Sequence, residues 1–135
     1  MSSKAVRDAF RVQLTTSFPA VPLIETYGLE VDVEALPALW FGIGFVALSE
    51  ERLTLDEPAY WNETGIVRVR VAGEAGEGED VVIAQSDAVR QAFRHWVQDG
   101  IEIDFTLPPG EENPESDGKW IFADVDLQYM RTFIA

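Results

Sequence analysis

The chain contains no cysteine. That excludes disulfides, thiol nucleophiles and thiolate metal sites, and nothing in the sequence demands an oxidising compartment. Histidine occurs once, as His95. A single imidazole cannot build a multi-histidine metal centre. As a general base it would want a nucleophile and an orienting acid nearby, and no motif supplies them; beside Trp96 near a helix end it reads as a helix-terminal side chain. Positive charge is scarce as well: 10 Lys plus Arg stand against 24 Asp plus Glu, a formal net charge of −14. Such a surface repels nucleic-acid phosphates and anionic membranes. Two readings of the acidity stay open: solubility alone, and a protein that tolerates DNA nearby without sticking to it. Long apolar runs are missing too. The opening Met-Ser-Ser-Lys-Ala-Val-Arg-Asp lacks a signal-peptide core. The longest apolar run, Ala38 to Leu48, is broken by glycines and falls short of the ~20 residues a membrane helix needs. Cytosolic synthesis is the expectation.

What is present suffices for one domain spanning residues 1–135. With 47% hydrophobic and 11% aromatic residues, the 135-residue chain has the material for a core. Ser2 or Ser3 is placed to cap a first helix whose apolar face carries Ala5, Val6, Ala9, Phe10, Val12 and Leu14, and Pro19 and Pro22 end it by about Ser17. A short strand is expected within Val21–Tyr27. Leu29, Val31 and Val33 alternate with Glu30, Asp32 and Glu34, a half-buried strand with an acidic outer face. Ala38–Leu48 reads as a strand with Gly42 and Gly44 on one face and Phe41, Ile43 and Phe45 on the other. Arg52–Glu57 reads as a further strand ended by Pro58. In Ile66–Val71, the valines 67, 69 and 71 face one way and Ile66, Arg68 and Arg70 the other. A glycine-rich acidic turn, Gly73–Asp80, leads into a second helix to about Trp96. Its expected stripe is Val81, Ala84, Ala88, Val89, Ala92, Phe93 and Trp96, and Asp99-Gly100 is expected to stop it. Ile101, Ile103 and Phe105 mark a strand, Leu107–Gly118 a Pro- and Glu-rich loop, and Lys119–Thr132 a last strand. In that strand Trp120, Phe122, Asp124, Asp126 and Gln128 share one face. The expected fold class is α+β: a mostly antiparallel twisted sheet with two helices packed on one face.

Several patterns invite chemistry. Glu102, Asp104, Asp124 and Asp126 lie on neighbouring strands, where carboxylate clusters bind hard cations or hydrolyse glycosides. The same residues also fit a solvated strand face, and no calcium-loop spacing occurs. The Gly73–Asp80 turn precedes a helix as phosphate loops do. Its glutamates repel phosphate, however, and the Lys-Ser/Thr ending is missing. Asn62-Glu63-Thr64 matches a glycosylation acceptor that means nothing without secretion. No metal, cofactor or catalytic set is expected. Arg68 and Arg70 project together from a strand in a chain poor in bases. They pair either with acidic cross-strand neighbours or, as a basic strip, with an acidic strip on another copy.

The order of features resembles a family. A helix with a Pro-rich exit precedes an aromatic strand region. The strand Thr64-Gly65-Ile66-Val67-Arg68-Val69-Arg70-Val71 follows, then the Gly-rich turn, the Asp80–Trp96 helix, Gly100-Ile101-Glu102-Ile103, and Gly118-Lys119-Trp120-Ile121-Phe122-Ala123-Asp124-Val125. This looks like the tail-terminator (tail-completion) proteins of long-tailed bacteriophages and prophages, over nearly the whole chain. The resemblance implies a structural protein without enzymatic activity. Six copies would form a ring on the head-proximal end of the tail tube, end its polymerisation and offer the head-joining surface. The implied partners are copies of itself, the tube protein and a head-completion protein. DNA would pass through the lumen without sequence-specific binding, and no membrane is involved. The implied location is the virion tail, after synthesis in the bacterial cytoplasm. Another head–tail joining or minor tail protein fits the same pattern, and a carboxylate-based metal-binding or hydrolytic domain is the alternative of a different class. Candidate subunit or partner contacts are Arg68, Arg70, Glu30, Asp32, Glu34, Asp124 and Asp126.

Overall fold

A computed structural model describes residues 3–24, 37–107, 115–116 and 120–135. Helix α1 spans Lys4–Ser17, and the Ser3 hydroxyl accepts from the Val6 amide at its start. Strand β1 (Leu23–Ile24) is followed by β2 (Leu39–Arg52) and β3 (Tyr60–Glu74). A 3₁₀ turn at Ala75–Glu77 leads into helix α2 (Glu79–Phe93), whose first turn carries Glu79 and Asp80 at its positive end. Strands β4 (Val97–Gln98), β5 (Ile101–Leu107), β6 (Glu115–Ser116) and β7 (Trp120–Ile134) complete the order.

The strands form a single sheet ordered β1-β2-β3-β7-β5-β4, with β6 also paired to β7. All pairs are antiparallel except β1 on β2. The long strands alternate as a sheet with one dry face must. Phe41, Ile43 and Phe45 of β2, Val67, Val69 and Val71 of β3, and Val125, Leu127 and Tyr129 of β7 are buried in one cluster with Val6, Phe10 and Leu14 of α1 and Val82, Val89 and Phe93 of α2. Both helices therefore cover the same face, and the fold is α+β with a mostly antiparallel sheet. Phe10 anchors the seam: its ring stacks on Phe93 at 5.3 Å and meets Tyr129 edge-on at 5.8 Å. Gln13 Nε2 ties the helices together by donating to the Ala92 carbonyl at 2.9 Å.

Four details differ from the sequence reading. Arg52–Glu57 is not a strand: Arg52 closes β2, and residues 53–59 form the connection to β3. In α1 the expected apolar face is met at Val6, Ala9, Phe10 and Leu14, but Ala5 and Val12 are exposed. The stripe of α2 is met at Val89 and Phe93, but its first half is shifted. Val81 and Ala84 are exposed, while Val82 and Ser86 are buried with Val89 and Phe93. The Ser86 hydroxyl donates to the Val82 carbonyl at 2.8 Å, so a polar residue faces the core at no cost in unmet hydrogen bonds. Finally, α2 ends at Phe93, before Asp99-Gly100. Those two residues have φ of 51° and 78° and make the two-residue turn of the β4–β5 hairpin, a left-handed conformation that glycine supports. The alternating strand expected around Glu30, Asp32 and Glu34, and most of the Leu107–Gly118 loop, lie outside the described residues. No helix among the described residues is long and apolar enough to cross a membrane.

Candidate functional site

The helix-free face of the sheet gathers the singled-out charges. Arg68 lies opposite Asp126 and Arg70 opposite Asp124 in the β3–β7 register. Each guanidinium grips its partner with two bonds. Arg68 Nε and Nη2 donate to the Asp126 carboxylate at 2.8 and 3.0 Å, and Arg70 Nε and Nη2 donate to Asp124 at 2.8 and 3.1 Å. Period-two alternation puts all four on one face, and the antiparallel register sets each base against an acid. Arg68 also lies 3.9 Å from Asp124, so the four charges form a continuous ladder. The acidic strip these arginines meet is thus in their own chain. Their side chains remain 58% and 40% exposed. Exposed pairs of this kind stabilise by at most about 1 kcal/mol each.

The ladder engages two of the four carboxylates of the expected cluster. Asp124 and Asp126 are turned to arginines, and Glu102 sits opposite Met130, further along β7. Among the described residues, no group of three or more His, Cys, Asp or Glu side chains is arranged to hold a metal ion. His95 is exposed beyond the end of α2.

Beside the ladder lies an aromatic patch; the alternation of the last strand had put Trp120 and Phe122 on this face, and Trp40 joins them from β2. Trp40 meets Trp120 at 6.0 Å and Phe122 at 6.3 Å, both edge-on. The Arg70 guanidinium lies 4.9 Å over the Phe122 ring. Gly42 and Gly44 leave the sheet bare next to this patch. A methyl group at Gly42 would make ordinary contact with Trp40, and one at Gly44 would meet nothing. The result is a groove with a main cavity of about 430 Å³ between Trp40, Phe122 and the two arginine stems. A second hollow of about 290 Å³ adjoins it by Val46 and Ile66. The alternation of β2 had put Gly42 and Gly44 on this face. The groove also needs Phe122 and the arginines, which arrive from other strands.

The β2–β3 connection forms an arm that reaches beyond the core. From Val46 to Pro58 the residues are exposed or half-buried. Leu48 is the extra residue of a bulge between Ala47 and Ser49, which bends the arm. At the tip the Arg52 guanidinium donates to the carbonyls of Thr54, Leu55 and Asp56 at 2.7, 3.0 and 3.2 Å. The Thr54 hydroxyl accepts from the Tyr60 amide at 3.0 Å, and Leu53 donates to the Tyr60 carbonyl at 2.8 Å. This network holds Leu55 outward, 94% exposed.

No protein-family model matches the chain, and no curated protein matches it.

Proposed function

We propose that the chain is a non-enzymatic assembly subunit of the tail-terminator type, forming a ring that caps a phage or prophage tail tube, ends its growth and presents the head-joining surface. The observation that carries the reading is the order of elements. A capped helix, a long β-hairpin, a Gly-rich connection, a second helix and further strands closing with Trp120–Ile134 come in the order on which the sequence resemblance rests. The layer arrangement supports it, because both helices shield one face, and among the described residues no helix covers the other, where Arg68 and Arg70 keep part of their surface exposed. The net charge of −14 suits a lumen through which DNA passes without adhering. Partners in this reading are other copies, the tube protein and a head-completion protein.

Particle mass by light scattering over concentration and salt, with negative-stain images of the same samples, tests the proposal. Rings with a central hole that grow with concentration or salt are expected, since screening relieves repulsion between acidic subunits. Monomers under every condition, with no binding to tube ends, would sink it.

A further inference from the structure

We propose that the tip of the β2–β3 arm of one copy seats in the glycine-floored groove on the open face of the next copy, with Leu55 as the inserted side chain. This rests on the ring reading and gives it a specific contact.

The tip is built, not loose. Arg52 clamps three consecutive carbonyls, and two further bonds close the loop on Tyr60. A loop fixed in this way loses little freedom on docking. What it displays is a leucine at 94% exposure, with Leu53 and Leu48 also exposed at 53% and 55%. Apolar side chains grouped on a protruding element mark contact surfaces.

The groove offers the complement. It is walled by Trp40 and Phe122 and continues past Val46 and Ile66. Its floor is glycine backbone, where a Cβ at Gly44 would find open space. Charge favours the same match. The arm carries Glu50, Glu51, Asp56 and Glu57 against one arginine. Among the described residues, Arg68 and Arg70 rim the groove and grip Asp126 and Asp124 respectively, on a molecule of net charge −14. An acidic tip is repelled less there than by an acidic surface.

The tip cannot reach its own groove. From Gly44 to Leu53 the chain is extended, and at about 3.4 Å per residue the tip stands roughly 30 Å away. The occupant must be another copy. Because tip and groove are different surfaces, the contact runs head to tail, the type that closes into rings.

The absence of cysteine makes cross-linking a clean test. Leu55→Cys and Gly44→Cys copies are prepared separately, mixed in equal amounts and oxidised mildly. Neither position makes a contact that folding needs. Dimers joining position 55 to position 44 should form in severalfold excess over dimers of either variant with itself. In parallel, Leu55→Asp should lose the assembled particle while keeping its unfolding midpoint. A mixture of Leu55→Asp and Gly44→Trp copies should form nothing larger than a dimer, since only one tip–groove contact survives. Rings that persist in Leu55→Asp without preferential 55–44 linkage would overturn the docking and leave the ring reading standing. Monomers of the unaltered protein at every concentration, with no 55–44 product, would overturn the docking and withdraw solution support from the ring as well.

Discussion

Tyr129 is fully buried, and its hydroxyl donates to Glu63 Oε2 at 2.6 Å. The ring lies against Gly65, where a Cβ would come within 2.6 Å of both the ring and the Val46 carbonyl. Gly65 is therefore required by a neighbour on another strand. Adding a methyl group there forces the packed ring or the sheet to move, so Gly65→Ala should cost about 1–3 kcal/mol in urea unfolding. Tyr129→Phe strands a buried carboxylate and should cost about 1–3 kcal/mol by the same measurement. On the surface, a hydrogen bond from Lys4 Nζ at 2.5 Å holds the Asp8 carboxyl below its ordinary pKa, with help from Arg11. Its favourable contribution is present above the ordinary carboxylate pKa and fades as pH falls through the lowered one. NMR titration should find Asp8 below the usual range, and Lys4→Ala should bring it back up. Little of this was legible beforehand. The sequence pattern showed Gly65 at the head of a strand, but the reason for the glycine lies in Tyr129.

At the scale of elements, periodicity located most of the architecture. The apolar alternation in β2, β3 and β7 reads directly as the buried rows Phe41-Ile43-Phe45, Val67-Val69-Val71 and Val125-Leu127-Tyr129. Helix α2 was found with the later half of its stripe, Val89, Ala92, Phe93 and Trp96, in or against the core, but in its first half Val82 and Ser86 are buried where Val81 and Ala84 were expected. Two substitutions separate the phases. Val82→Ala should cost about 2 kcal/mol for the buried methyl groups it deletes, whereas Val81→Ala should stay within about 0.5 kcal/mol; thermal or urea unfolding decides. Arg52–Glu57 was expected to be a strand ended by Pro58. Arg52 instead turns its guanidinium back onto the loop carbonyls, a use of arginine that no local pattern announces.

For the whole molecule, the sheet separates a face covered by both helices from one that, among the described residues, no helix covers. The sequence placed Arg68, Arg70, Asp124 and Asp126 on shared strand faces, and the sheet joined them into one ladder. The Trp40–Phe122 groove and the arm tip stayed hidden, because each depends on residues distant in the chain. Exchanging the signs of one rung, with Arg70→Asp and Asp124→Arg together, keeps a cross-strand pair. It should recover most of the roughly 1 kcal/mol that Arg70→Asp alone costs. If the groove receives an acidic tip, the exchanged variant should also assemble at a different salt concentration from the parent, which light scattering reads. Strand order carries one more consequence, and it concerns time. Strand β7 lies between β3 and β5, although it follows both in the chain. Until β7 arrives, the hairpin of β2 and β3 has an unpaired inner edge and its valine row is only partly covered. These are contacts between distant parts of the chain, the kind that form slowly. The arm is therefore rooted in a finished sheet only after Trp120–Ile134 has been synthesised and seated. A nascent chain that has not reached that point has no firm base beneath the arm tip.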